Sequence, residues 1–208
     1  MPFKQFMAAQ LRKPSGWFGS LMMTRMLNRM NIAIVNSTLA RLDLQPQHNV
    51  LEIGFCGGAA LSLVADQLTT GVATGIDFSS EMVSAAQSRF KTDIDNGRMR
   101  VQLGDVSRLP FPAASFDRVF TINTIYFWPD TQQGFSEIRR VLKPGGLAVI
   151  ALRSRENMQR AALTQHGFRL FSPAEAQKLM QDSGFSNLRL THEKQSSRFD
   201  EVLLSATA

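Results

Sequence analysis

From residue 48 onward the chain alternates short apolar runs with longer amphipathic stretches, and Gly, Pro or Asp marks the junctions. Side-chain periods of two and 3.6 that take turns along one chain specify strands crossing back through helices, the pattern of a layered α/β sheet. The spacing predicts strands near 49–54 (NVLEIG), 72–77 (VATGID), 99–103 (MRVQL), 117–123 (DRVFTIN), 146–152 (GLAVIAL), 186–193 and 198–206. Helices are clearest at 58–69, 79–91, 131–142 and 173–183. The last of these starts behind Ser172 as N-cap, with Pro173 as first residue and Glu175 at the capping-box position. The two final strands are joined by the short EKQSS stretch, so they run antiparallel. The expected architecture is α/β: seven strands, mostly parallel, with one reversed strand at the end, helices on both faces, and a helical arm at the N-terminus.

With 208 residues, 44% hydrophobic and 19% charged, the chain suits one ordinary globular body, and disorder, collagen and coiled coil are excluded. The net charge of +6 is not spread evenly. Lys4, Arg12, Lys13, Arg25, Arg29 and Arg41 stand in residues 1–42 without a single acid, which leaves residues 43–208 balanced at 17 charges of each sign. The division is an arm, 1–42, and a neutral body, 43–208. From Phe18 to about Ala40 the arm lacks Pro, and a helix there places Leu21, Met22, Met26, Met30 and Ile34 on one face. Such a basic, Met-rich helix suits a packing element, an adaptable lid over a substrate, or a surface resting peripherally on anionic lipid. Cys56, the single cysteine, excludes an internal disulfide, and no Cys/His spacing suggests a structural metal. The opening MPFKQFMAAQ lacks an apolar core followed by a cleavage site. The expectation is a cytoplasmic, unprocessed protein without metal.

The first strand ends in Glu52, Ile53, Gly54, Phe55, Cys56, Gly57, Gly58 and runs straight into a helix, where a parallel sheet binds nucleotide-like ligands. Glycines there let a ligand approach the backbone closely. A second acid, Asp77, closes the next strand in GIDFSSEM, placed to accept both hydroxyls of a ribose, with Phe78 and Met82 as apolar neighbours. Asp77 also suits an N-cap, a role compatible with holding a sugar. A dinucleotide enzyme and a methyltransferase both fit these features, and the later segments decide. LGDVSRLPFPAASFDRVF surrounds the end of the third strand, and EIRRVLKPGGLAVI follows the fourth.

On VLEIGFCGG, GIDFSSEM, LGDVSRLPFP, FDRVFTINTIYFW and RRVLKPGG in that order, residues 48–152 resemble the class I S-adenosylmethionine-dependent methyltransferases, especially the ubiquinone/menaquinone methyltransferase-like group of small-molecule enzymes. The resemblance implies a Rossmann-like fold and S-adenosyl-L-methionine as cofactor. It also implies roles. Glu52 and the loop Gly54, Phe55, Cys56, Gly58 face the methionine part, Asp77 the ribose hydroxyls, and Phe78 the adenine. Gly104, Asp105 and the Val106 amide meet the adenine nitrogens, and Asn123 borders the methionine ammonium through its carbonyl. Asp105 alone, after Gly104, also suits a turn-forming Asx. The pattern departs from the family's GxGxG at Cys56, which stands where the middle glycine belongs. That departure keeps a degenerate, non-enzymatic binding module as an alternative. No motif places a base beside Cys56 to make it a nucleophile.

Methyl transfer from a sulfonium is an in-line displacement whose leaving group becomes neutral, so alignment dominates and a base is needed only for a protonated acceptor. His166, after the fifth strand, and Tyr126, at the carboxyl edge of the sheet, are the candidates for catalytic contact. His48 reads as structural and His192 as an ordinary strand residue. Tyr126 equally suits packing, as Phe127 or Trp128 does. The spacing from Asn123 to Tyr126 also imitates the NPPY element of nucleic-acid amino-methyltransferases, but both prolines are missing and no basic stripe lies outside the arm. The expected partner is a small, partly apolar molecule rather than nucleic acid.

Overall fold

The structure, a computed structural model, describes residues 31–160, 169–196 and 199–208. Helix α1 covers 31–42. There follow β1 (Val50–Ile53), α2 (Ala59–Gln67), β2 (Ala73–Asp77), α3 (Ser80–Arg89), α4 (Lys91–Asp95), β3 (Met99–Leu103), β4 (Phe116–Ile122), α5 (Thr131–Val141) and β5 (Leu142–Arg153). The chain closes with α6 (Arg155–Arg160), α7 (Pro173–Asp182), β6 (Ser186–Ser196) and β7 (Phe199–Thr207). The strands form one sheet in the order β3-β2-β1-β4-β5-β7-β6. Neighbours from β3 to β5 pair in parallel. The reversed strand is β7, which runs antiparallel to both β5 and β6 and leaves β6 at the edge. The order turns around between β1 and β4, and this is where a doubly wound sheet opens a crevice beyond its carboxyl ends.

Strand alternation divides the core into two layers. Val119, Ala148, Ile150, Val202 and Leu204 face Phe135, Ile138, Val141, Ala176 and Met180 of α5 and α7. Phe120, Val149, Ala151 and Leu203 face the other way, with Leu61, Val64, Val83 and Ala86 of α2 and α3. Helix α1 belongs to this second layer through Ile34, Val35, Leu39 and Leu42. Ile34 is buried as its predicted face requires, while Leu21, Met22, Met26 and Met30 lie outside the described residues. Arg118 ties the end of α1 down by donating to the carbonyls of Leu42 and Asp43.

Two of the sequence motifs hold each other. Arg140 of RRVLKPGG donates to the carbonyls of Leu109 and Phe111 in LPFP and pairs with Glu137, whose carboxylate in turn accepts the Leu109 amide. Residues 143–145, between the expected helix 131–142 and the expected strand 146–152, are part of β5. Pairing passes from Phe116↔Leu142 to Arg118↔Leu147, so residues 143–146 bulge opposite Asp117, with Gly145 at φ 75° and Lys143 paired to Asp117. Helix 79–91 is shorter than expected, ending at Arg89, with a separate turn of helix after Phe90. The EKQSS joint is strand as far as Ser196. The capping box at Ser172 and Glu175 forms as the sequence requires.

Candidate functional site

A cavity of about 300 Å³ opens at the carboxyl ends of β1, β2 and β4, within the range of small-molecule sites. Eleven of the twelve residues expected at the cofactor line it: Glu52, Gly54, Phe55, Cys56, Asp77, Phe78, Met82, Gly104, Asp105, Val106 and Asn123. Gly58 does not. It stands at the N-cap of α2 with φ 69°, and a side chain there would strike the Phe90 ring, so its place is set by packing.

The loop after β1 is bent by three left-handed residues: Gly54 (φ 73°), Cys56 (φ 49°) and Gly58 (φ 69°). At Gly54 a Cβ would lie 2.6 Å from Thr124 Cγ2, so glycine is demanded by contact as well as by φ. The Cys56 amide donates to Asp77 Oδ2 at 3.1 Å, and the Ser79 amide donates to Asp77 Oδ1 at 2.9 Å. Each carboxylate oxygen keeps a further lone pair for a hydroxyl donor. The N-cap of α3 is Ser79, which accepts the Met82 amide, rather than Asp77. Burial raises the Asp77 carboxyl while the amides of Ser79, Cys56 and Phe78 pull it back.

Glu52 sits in mid-sheet, 3% exposed, with Oε2 buried and without a hydrogen-bond partner among the described residues. Burial, then the neighbouring Asp77, pushes its carboxyl up to about 8. A buried carboxyl oxygen left unmatched in a cavity wall is a group waiting for a ligand. Burial likewise pushes the Cys56 thiol up to about 11, which makes it an inert side chain at neutral pH. Asp105 lines the cavity, and its Oδ1 accepts the Ser107 amide in an Asx turn. Phe78 stands half exposed at the mouth, and Met82 is buried beneath it.

The other end of the cavity is formed by α1, the stretch after β4, and the end of β5. Asn31, Val35, Arg153 and Met158, none singled out by sequence, join Asn123, Tyr126 and Phe127 there. Asn123 has φ 58° and gives its amide to the Ala151 carbonyl. Tyr126 is buried, and its hydroxyl meets Asn123 Oδ1 at 3.2 Å and the backbone of Arg153. Burial raises that phenol further above its usual range. Tyr126 therefore lines the cavity while tying the post-β4 turn to β5. Trp128 packs edge-on against Phe135 and donates to Thr124 Oγ1. His166 lies outside the described residues. His48, ahead of β1 and away from the cavity, accepts the Gln45 amide through Nδ1. His192 is exposed on β6.

Residues 51–150 match the family described as "Methyltransferase domain". The chain is 31% identical over 167 residues to phosphoethanolamine N-methyltransferase 2 of Caenorhabditis elegans, covering 78% of this chain and 37% of that protein. It is 33% identical over 111 residues to the ubiquinone/menaquinone biosynthesis C-methyltransferase of Geotalea daltonii, covering 53% and 47%. The chain thus spans less than half the length of either relative. Among solved structures, a chain from the complex of a Haloferax volcanii methyltransferase with the Trm112 methyltransferase activator shares the fold at TM-score 0.79 and 22% identity, covering 89% of this chain and 92% of that one. On these matches residues 51–150 are a methyltransferase domain, and the comparisons support a class I S-adenosylmethionine-dependent methyltransferase, a family whose cofactor is S-adenosylmethionine.

Proposed function

We propose that this chain transfers a methyl group from S-adenosylmethionine to a small, partly apolar acceptor. The observation that carries the reading is a single cavity with two chemically different ends. One end presents Glu52, the Gly54–Cys56 backbone, Asp77 and Asp105, a set of carboxylates and close backbone suited to an amino-acid tail, a ribose and an adenine. The other end is largely apolar, with Val35, Phe127 and Met158 beside a few polar groups.

The residues fit the cofactor. Glu52 Oε2 is a buried acceptor atom without a partner among the described residues, and both Asp77 oxygens are oriented by backbone amides. The bound cofactor supplies an electrophilic methyl on a cationic sulfur. The work left to the protein is to hold two molecules in line and to exclude water, and positioning of this kind is worth about 7–11 kcal/mol. Phe127 and Met158 form walls suited to that task. The two relatives are named for nitrogen and carbon acceptors, so family membership leaves the methylated atom open. A reducing cytoplasm is the proposed setting, on the grounds of a single cysteine that has no internal partner for a disulfide.

The test is incorporation of a labelled methyl group into a panel of small-molecule extracts by the parent and by Asp77→Ala. Labelling by the parent that the variant loses supports the reading. Failure of millimolar S-adenosylhomocysteine to raise the melting temperature of the parent overturns it.

A further inference from the structure

We infer that the acceptor carries an anionic oxygen group, carboxylate or phosphate, on an apolar body, and that Arg153 with Asn123 receives it. This rests on the methyl-transfer reading of the cavity. Among the described residues that line the cavity, Arg153 is the one with a basic side chain. It stands at the acceptor end, away from the carboxylates of Glu52, Asp77 and Asp105 that belong to the cofactor end.

Arg153 sits in the cavity wall between a buried acid on one side and a neutral amide on the other. Arg153 and Glu201 face each other across the β5–β7 ladder, and Arg153 Nε donates to Glu201 Oε1 at 3.2 Å. This cross-strand pair anchors the guanidinium from behind, since Glu201 is 1% exposed and does not line the cavity. The terminal nitrogen Nη2 stands 3.2 Å from the same Glu201 oxygen and also donates to Asn31 Oδ1 at 3.2 Å, and Asn31 is part of the cavity wall. A neutral amide oxygen is a weaker partner for a guanidinium than a charged oxygen pair, which matches its planar fork. An anionic acceptor group takes the place of the Asn31 oxygen.

A second, independent observation points the same way. Among the described residues Asn123 Nδ2 is buried without a partner, while its Oδ1 shares the single Tyr126 hydroxyl proton with the Arg153 carbonyl, each at 3.2 Å. The side chain therefore holds a donor atom that is unmatched among the described residues beside an acceptor that shares its donor. A buried donor of this kind asks for an oxygen lone pair and disfavours an ammonium. Tyr126 also contacts the Arg153 backbone, so Asn123 and Arg153 are held by one residue and act as a pair.

The test is calorimetric titration of the full chain, saturated with S-adenosylhomocysteine, with four probes of equal chain length: octanoate, octyl phosphate, octylamine and octanol. The expected result is saturable binding of octanoate or octyl phosphate, at least tenfold tighter than of the amine or the alcohol. The arm that binds better tells carboxylate from phosphate. Arg153→Gln combined with Glu201→Gln, which removes both charges together, is expected to weaken the anion at least tenfold while the thermal shift with S-adenosylhomocysteine persists. Asn31→Asp leaves the Arg153–Glu201 pair in place, sets a competing carboxylate before the guanidinium, and is expected to weaken the anion similarly. Equal binding of alcohol or amine, absence of anion binding to cofactor-loaded protein, or unchanged anion binding in both variants overturns the inference. Failure of the parent to bind S-adenosylhomocysteine overturns the methyl-transfer reading, and the inference with it.

Discussion

The backbone amide of Cys56 donates to Oδ2 of Asp77 across 3.1 Å, which makes the bent loop after β1 and the acid at the tip of β2 one mechanical unit. Removing the acid therefore loosens the loop as well as the sugar contact.

For Asp77→Ala the expected loss of S-adenosylhomocysteine affinity is about 1.5–3 kcal/mol, the worth of a charge-assisted hydrogen bond. Asp77→Asn keeps the shape and some of the hydrogen bonding and is expected to lose less. Calorimetric dissociation constants decide, and an affinity unchanged in Asp77→Ala refutes the assignment.

Cys56 occupies φ 49°, a left-handed conformation that costs a non-glycine residue about 1–2 kcal/mol. Glycine relieves that strain but enlarges the entropy of the unfolded chain by a comparable amount. Cys56→Gly is thus expected to keep its stability within about 1 kcal/mol and to bind S-adenosylhomocysteine at least as tightly as the parent. A large loss of binding shows that the thiol has a part in the site.

Gly54→Ala places a methyl 2.6 Å from Thr124 Cγ2 in a backbone conformation that alanine resists. Overpacking and the left-handed penalty together predict a destabilisation of about 2–4 kcal/mol in urea denaturation. Thr124→Ser removes Cγ2 and is expected to restore part of that loss. A double variant no better than the single one places the cost elsewhere.

Glu52 supplies a pH signature. Its carboxyl titrates at about 8 in the folded chain against 4.5 as the ordinary value, so between those limits the folded state keeps a proton that the unfolded state has lost. The contribution of Glu52 to the stability of the ligand-free protein is fully present below about 4.5 and is lost as pH rises, levelling off above about 8, with a change of up to about 5 kcal/mol from this group. Glu52→Gln is expected to flatten this slope, as measured by urea midpoints across pH. A parent and variant with parallel profiles refute the assignment.

The parts of the fold that were legible in the sequence are those whose apolar residues alternate or recur without help from distant partners. β1, β2, β4 and α7 fall within a residue or two of their expected bounds because burial on both faces, or a capping box, writes itself into the local sequence. The bulge at residues 143–146 was not legible, since nothing local in KPGG marks a strand before Lys143 meets Asp117 in β4. The polar end of β6 also escaped, because an edge strand lacks the apolar run that marks a buried one. In the site, the loop and its acids are contiguous motifs and were legible. Asn31 and Arg153 were not, since their meeting depends on how α1 docks and on the register that sets Arg153 opposite Glu201.

The seating of α1 in the second core layer has a consequence for how acceptor choice changes over time. Asn31 and Val35 stand on the same helix as the wholly buried Ile34 and Leu42, so that wall of the chamber is moored and its outline is reset by exchanging side chains, not by moving the helix. New acceptor preferences are therefore most accessible through replacements in the first described turn of α1, where one residue redraws the chamber and leaves the glycine loop as it was.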